Sequence, residues 1–494
     1  MHVMSRIITS PARRSPDRGI HMNNQIRYKK KDILRIIESG NERELCFLML
    51  YQVYFEGAFS NLVLKKADKS AASLGKKLDF TRAMLYGTLT YTFTIDFLIR
   101  HITKEEPDEM DPITRTIIRM AVWQLQFGEN IPDYAVTDSS VDIAKKYNHK
   151  VSGYVNAVIR KYASAPEAKK YLEQYKPGIR TSLKPEIYGI FKKDYGKSRA
   201  YDIGMAFLKP SGTTVRFDSS KISQKDLVAE LKEAGIYASP AKIISDAVEI
   251  TGGLKGLESS DIYSKYGMFI QGEAAMLASL VADPKEGSRI LDCCAAPGGK
   301  STHMATLCHD NCSILSCDIN ETRLELVKEN AERLGLKSIS VQCCDASKIG
   351  KEFKDSRKSF DLVLCDVPCS GLGLIGRKPD IREKITFERI EELLPIQGAI
   401  LDSVAKMVAP GGTLVYCTCT LNTEENEKQV STFLESHKSF HTVSIRKYIP
   451  DTITLEDDRK EASENGMITL FPDLDGTEGF FICRMEKDRK DDQE

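Results

Sequence analysis

Three short runs in the second half of the chain gather the residue types that do chemistry. Asp366-Val367-Pro368-Cys369-Ser370-Gly371 and Tyr416-Cys417-Thr418-Cys419-Thr420 each follow an apolar stretch and carry a thiol, with Asp366 beside the first. A thiolate adds to electron-poor carbons and forms covalent intermediates. A neighbouring carboxyl group can hold or deliver a proton. Upstream, Asp292-Cys293-Cys294-Ala295-Ala296-Pro297-Gly298-Gly299-Lys300-Ser301 combines small residues with two glycines. Such a loop lets the backbone approach a ligand at a helix start. It matches neither the G-x-G-x-x-G dinucleotide pattern nor the G-x-x-x-x-G-K-[ST] phosphate loop. Asp318 closes the next apolar run, twenty residues after Gly298, where a carboxylate can accept both hydroxyls of a ribose. Asp345 ends the run after that and can accept from an adenine amino group. Each Asp alone reads equally well as a turn or cap residue. Asp318, Asp345 and Asp366, each just past a successive strand, together indicate a nucleoside-bearing cofactor.

The chain has 13 cysteines, and all but Cys46 lie after residue 290. An odd number, clustered in one half, argues for a reducing cytosol and against a disulfide framework. By strand alternation Cys417 shares a face with Cys419, so it stands as a third candidate thiol. Cys293, Cys308, Cys312, Cys317, Cys343, Cys344, Cys365 and Cys483 read as small apolar residues. Cys308, Cys312, His303 and His309 match no usual ligand spacing, and no metal is expected.

The elements that must position these groups follow from periodicity. From residue 267 onward, candidate strands at 289–293, 313–317, 338–342, 360–364, 412–417 and 479–484 alternate with helical stretches. That pattern implies a parallel sheet covered on both faces, with chemistry at the strands' carboxyl ends. Residues 31–163 read as all-helical. Ile113, Ile117, Met120, Ala121 and Leu125 share one helix face, started by Asp111-Pro112. Similar patterns run through 42–54, 80–102 and 135–146. Between the two regions, short strands at 213–217 and 247–250 flank a helix at 223–234 that ends at Gly235.

At 494 residues and 41% hydrophobic, the chain is a folded protein of several domains. No apolar run approaches the roughly 18 residues of a membrane helix, and no membrane role is expected. Seventy basic residues balance seventy acidic ones, which excludes a uniformly basic nucleic-acid coat. Locally the balance differs. Residues 142–210 carry fifteen Lys and Arg against six acids, a net of +9, interleaved with Tyr147, Tyr154, Tyr162, Tyr171, Tyr175, Tyr188 and Tyr195. Cations follow phosphates and aromatic faces stack on unpaired bases. The same run reads otherwise as solvated helix faces with Tyr in the core. From Asp451 the chain holds fourteen acids and six bases, a net of −8.

The three motif runs resemble the RNA 5-methylcytosine methyltransferases of the Sun family. Pro132–Ala144 followed by V-S-G-Y-V-N-A-V-I-R-K at 151–161 resembles the NusB-like RNA-binding domain. NusB-like helices before a methyltransferase are similar to the arrangement in that family's bacterial ribosomal small-subunit enzymes. The resemblance implies an α/β Rossmann-like class I methyltransferase domain preceded by an all-α NusB-like domain and a small α/β module. The expected divisions are a flexible basic tail at 1–30, a NusB-like domain at 31–164, a linker and small RNA-binding module at 165–260, and the methyltransferase domain at 261–494.

The resemblance also implies roles. Cys294, Ala295, Ala296, Pro297, Gly298, Gly299 and Lys300 form the S-adenosyl-L-methionine loop, with Asp318 at the ribose and Asp345 at the adenine. Asp366 is the acid beside the target base and also borders the cofactor. Cys419 is the nucleophile, and Cys369 assists product release. Val367 and Ser301 are small departures from the family's usual residues, as is Arg216-Phe217-Asp218 in the module. The implied reaction is methyl transfer to C5 of a cytosine in 16S ribosomal RNA, before full subunit assembly, by a cytoplasmic monomer. The same reaction on transfer RNA and a non-catalytic RNA-binding assembly factor are the alternatives. A nucleotide-linked dehydrogenase would account for Asp318 but leaves the two cysteine motifs unexplained.

Overall fold

Asp111 accepts from the backbone N–H groups of Ile113 (2.9 Å) and Thr114 (3.4 Å) and so starts the helix Pro112–Phe127. Its buried face contains Ile113, Ile117, Met120, Ala121 and Leu125, as the periodicity requires. The structure is a computed structural model that describes residues 26, 30–165, 175–209, 212–352 and 359–489. The basic tail, apart from residues 26 and 30, lies outside the described residues, as do Lys169, Lys170, Tyr171 and the final five residues.

Helices dominate one compact unit, formed by the described residues up to Leu208 together with Ile375–Ile385. The stretch 80–102 is two helices rather than one, Asp79–Thr90 and Thr92–Thr103. Tyr91 leaves helical geometry between them and stacks on Phe127 with ring centroids 3.9 Å apart. Tertiary packing has outweighed the continuous local pattern. Tyr147, Tyr154 and Tyr162 donate their hydroxyls to Glu44, Glu105 and Gln126 at 2.6, 2.7 and 2.6 Å. The hydroxyls of these tyrosines are thereby engaged within the helical unit. The Ile375–Ile385 segment is tied to this unit by buried Arg382, which donates to the carbonyls of Thr181 (3.0 Å), Ser182 (2.8 Å) and Phe207 (3.3 Å). Ser60 donates to Asp380 at 2.7 Å.

The second unit holds the described residues of 209–374 and 386–489. Its first part is a small antiparallel sheet of β1 (Thr213–Arg216), β2 (Tyr237–Pro240), β3 (Ala247–Gly252) and β4 (Phe269–Ile270), in the order β2-β3-β1-β4. β2 and β4 are too short to show an alternating pattern in sequence.

The rest is an eight-stranded sheet. β5 (Arg289–Asp292), β6 (Ser313–Asp318), β7 (Ile339–Cys343), β8 (Phe360–Asp366) and β9 (Val408–Thr418) run parallel. β12 (Phe480–Lys487) runs antiparallel to β9, and β10 (Phe440–Thr442) and β11 (Met467–Leu470) pair antiparallel with β12. The sheet is therefore mixed, not wholly parallel. Apolar patterning marks a strand but not its direction, and here β11 pairs directly back onto β12. Within the parallel part the strand order is β9-β8-β5-β6-β7. The chain reverses its direction of growth between β5 and β8, the place where α/β sheets hold ligands.

Both faces are covered. Leu362, Leu364, Val415 and Cys417 point to one core with Ala274, Leu277 and Met304. Val363, Cys365, Leu414 and Tyr416 point to the other with Ile400, Leu401 and Phe433. Most of the extra thiols lie in these cores, but Cys343 is exposed at the outer strand β7 and Cys312 is partly exposed. No helix among the described residues is long and apolar enough to cross a membrane.

Candidate active site

The carboxyl ends of β5, β8 and β9 converge because adjacent registers place Asp292 beside Leu364 and Asp366 beside Cys417. From β5 the chain passes through Cys294, Ala295, Ala296 and Pro297 to Gly298 (φ 100°), which turns it into the helix Gly299–Leu307. A side chain at Gly298 would sit 3.2 Å from Val327, in a backbone conformation that L-residues resist. The loop is thus packed closely against the helix Glu321–Leu334.

Lys300 lies one residue into that helix and reaches Asp366 with its Nζ 2.6 Å from Oδ2. Burial opposes the ammonium charge, but Asp366, Cys417 and Asp292 together outweigh it and hold the Lys300 pKa above its ordinary value. On its other oxygen Asp366 accepts from the Cys417 thiol at 3.6 Å. Burial, then the Asp366 charge, pushes that thiol well up. Cys417 is fully buried. The fold therefore buries it as a thiol donor to Asp366.

Cys369 and Cys419 have their sulfurs 3.2 Å from each other and are both partly exposed. The shared hydrogen bond, then burial, pushes the Cys369 thiol up, so Cys369 is suited to hold a proton. The two loops are pinned together, since the Gly373 N–H donates to the Cys419 carbonyl at 3.0 Å.

Asp318 and Asp345 occupy the strand ends expected of them but are already engaged locally. Asp318 accepts from the N–H groups of Ala296 (3.3 Å) and Asn320 (3.0 Å) and lies 3.4 Å from Arg323. Its carboxylate thereby shapes the 294–300 loop and retains lone pairs for a further donor. Asp345 accepts from the Ser347 N–H (3.0 Å), the Ser347 hydroxyl (2.6 Å) and Lys348 (2.7 Å). Burial raises its pKa, but those donors and the Lys348 charge reverse the shift to a net lowering. Arg216 of the module is buried, with Nε donating to Gln271 at 2.9 Å and Nη2 to Thr302 at 2.6 Å. It braces the helix behind the loop.

Asp292 opens the motif run but had no role assigned from sequence, because only its burial distinguishes it. One oxygen accepts from Ser301 at 2.6 Å. Burial lifts its pKa from 3.8 to about 7. A carboxyl with a raised folded pKa binds its proton more tightly folded than unfolded. Its contribution is intact below about pH 4 and is lost as pH rises through about 7, on the order of 4 kcal/mol in all. Asp292→Asn, which copies the neutral form, is expected to exceed the parent in stability by about 1.5 kcal/mol at pH 5 and by about 4 kcal/mol at pH 8. Urea unfolding midpoints at the two pH values measure this.

Comparison with known proteins agrees with this architecture. Residues 279–486 match the family model described as 16S rRNA methyltransferase RsmB/F, and residues 40–164 match the NusB family. The probable ribosomal RNA small subunit methyltransferase B of Bacillus subtilis is 32% identical over 451 residues, 90% of this chain and 98% of the relative. The protein of the same name from Synechocystis is 29% identical over 449 residues, 90% and 99% of the two chains. The crystal structure of PH0851 aligns with 94% of this chain and 100% of its own, at a TM-score of 0.74 and 26% identity. By sequence, domain content and fold, the chain belongs to the RsmB/F family of 16S rRNA methyltransferases, with a NusB-family helical domain ahead of the methyltransferase domain.

Proposed function

We propose that this protein transfers a methyl group from S-adenosyl-L-methionine to C5 of a cytosine in 16S ribosomal RNA through a covalent Cys419–cytosine adduct. The observation that carries the reading is the pair of thiols 3.2 Å apart at the ends of β8 and β9, next to the Lys300–Asp366 ion pair. A methylase that adds to an already nucleophilic atom needs no thiol. C5 of cytosine is a poor nucleophile, and a thiolate adding at C6 makes it a good one.

The residues fit the methyl donor. Gly298 holds a left-handed backbone that L-residues resist, and Asp318 keeps acceptor capacity at the end of β6. The loop from Cys294 to Lys300 with Asp318, Asp345 and Asp366 would hold the donor, which supplies an electrophilic methyl group when bound. Cys419 adds to C6, and its electron pair passes through the ring to C5. As the adduct forms, the Lys300–Asp366 pair provides a proton at N3 of the base. After methylation, Cys369, which has released its own proton to solvent, takes the C5 proton, the C5–C6 double bond re-forms, Cys419 leaves with its electron pair, and N3 returns its proton to the Lys300–Asp366 pair. The reaction consumes a reachable base, so the cytosine must be unpaired or flipped out. The helical domain supplies the RNA-binding surface.

Labelled methyl transfer to free 16S rRNA, assembled small subunits and transfer RNA tests the reading, with bisulfite sequencing of the product. Label in 16S rRNA at one bisulfite-resistant cytosine is expected. Label only in transfer RNA would shift the substrate, and label at an atom other than C5 would overturn the mechanism.

A further inference from the structure

Beneath the two thiols lies a carboxylate that the proposed chemistry does not use. Glu425 is completely buried, and no Lys or Arg pairs with it among the described residues. Its charge is balanced by hydrogen bonds alone. Oε1 accepts from the Ser370 backbone N–H at 2.8 Å and from the Gln397 amide at 3.0 Å. Oε2 accepts from the Ser370 hydroxyl at 2.5 Å, the Asn422 amide at 3.1 Å and the Thr420 hydroxyl at 3.4 Å. Ser370 follows Cys369 directly, and Thr420 follows Cys419. The hydroxyls of Ser370 and Thr420 are themselves 2.7 Å apart. One carboxylate thus grips both cysteine loops, each at the residue next to its thiol.

The geometry points to Glu425 as a positioning residue that sets the spacing and direction of the Cys369 and Cys419 thiols. This inference rests on the proposed two-thiol mechanism, because only a reaction that uses both thiols needs their spacing held. The requirement for a carboxylate follows from the donor set. A backbone N–H and two side-chain amides converge with two hydroxyls, and a group that only accepts satisfies all of them. A glutamine would turn a donor toward donors on one side. The cluster is further tied by Tyr416, whose hydroxyl donates to the Glu425 carbonyl at 2.6 Å, and by Gln397, which also donates to the Pro368 carbonyl at 3.0 Å.

Glu425→Gln and the milder Ser370→Ala, made in the full-length protein, test this. Thiol spacing is read without activity, as the rate at which diamide closes a Cys369–Cys419 disulfide, followed by peptide mass. Closure is expected to slow at least about tenfold in Glu425→Gln, and kcat to fall on the order of 10²-fold, since an ångström of misplacement has that effect. The KM for S-adenosylmethionine should stay within about twofold, because the 294–300 loop is held by other contacts. Ser370→Ala should move both readouts in the same direction by less. Parental closure rates in both variants would overturn the assignment whatever the activity. Slow closure would uphold it even if the methyl acceptor proved to be a different nucleotide.

Discussion

Replacing Cys419 with alanine is expected to abolish methyl transfer, by about 10⁴-fold or more, the scale on which losing a nucleophile acts. The same variant should form no covalent complex with RNA. Cys369→Ala should do the opposite, accumulating a protein–RNA adduct that survives a denaturing gel. The asymmetry follows from the roles proposed for the two thiols. The sulfurs are 3.2 Å apart, close enough for Cys369 to donate to Cys419, and the pair's hydrogen bond and burial keep the Cys369 proton in place. The partner that accepts is free to attack. The partner that keeps its proton can give it up and later take the one from C5. Without Cys369 the methylated adduct has no route to eliminate Cys419. The gel with labelled 16S rRNA separates the roles directly, and an adduct in Cys419→Ala but not in Cys369→Ala would exchange them. Cys417 is expected to be silent in the gel assay, since Cys417→Ser leaves both reacting sulfurs in place and keeps a donor toward Asp366.

Lys300→Met should lower stability by about 3 kcal/mol and remove activity. Breaking a buried ion pair on one side leaves an uncompensated charge, typically worth 3–5 kcal/mol. The Lys300 side chain is 12% exposed and Asp366 28%, so the site is open enough to favour the lower end. Here the effect is compounded, because Asp292 also faces Lys300 and Asp366. Without the ammonium, two carboxyl groups share a buried corner, and Asp292 should keep its proton to still higher pH. The double variant Lys300→Met with Asp366→Leu replaces both charges with apolar volume and should recover most of the stability while staying inactive. Urea midpoints and labelled methyl transfer on the three proteins measure this. Stability unchanged in Lys300→Met would mean the pair contributes nothing.

Much of the architecture was legible because it is written in local patterns. Helix Pro112–Phe127 follows from an Asp-Pro start and one apolar face. The strands β5 to β8 follow from apolar runs that end in Asp or Cys, and β9 from one that ends in Cys417-Thr418. Patterns misled where the fold overrode them. Tyr91 split a continuous helical stretch.

The candidate site divides in the same way. Composition and spacing alone determined that Cys369, Cys419, Asp366 and Lys300 lie near strand ends, since each sits at a fixed distance along the chain from an apolar run. What no spacing could reveal is decided by pairings between distant segments. The parallel register of β8 and β9 sets Asp366 beside Cys417 and buries that thiol. Asp292 titrates near neutrality only because the folded sheet excludes water from it. Glu425 lies in the polar run Asn422-Thr423-Glu424-Glu425-Asn426, which by itself reads as a solvated turn. Only the tertiary structure turns it inward, where a charge is tolerable because five donors converge on it from both cysteine loops, from Gln397 and from Asn422.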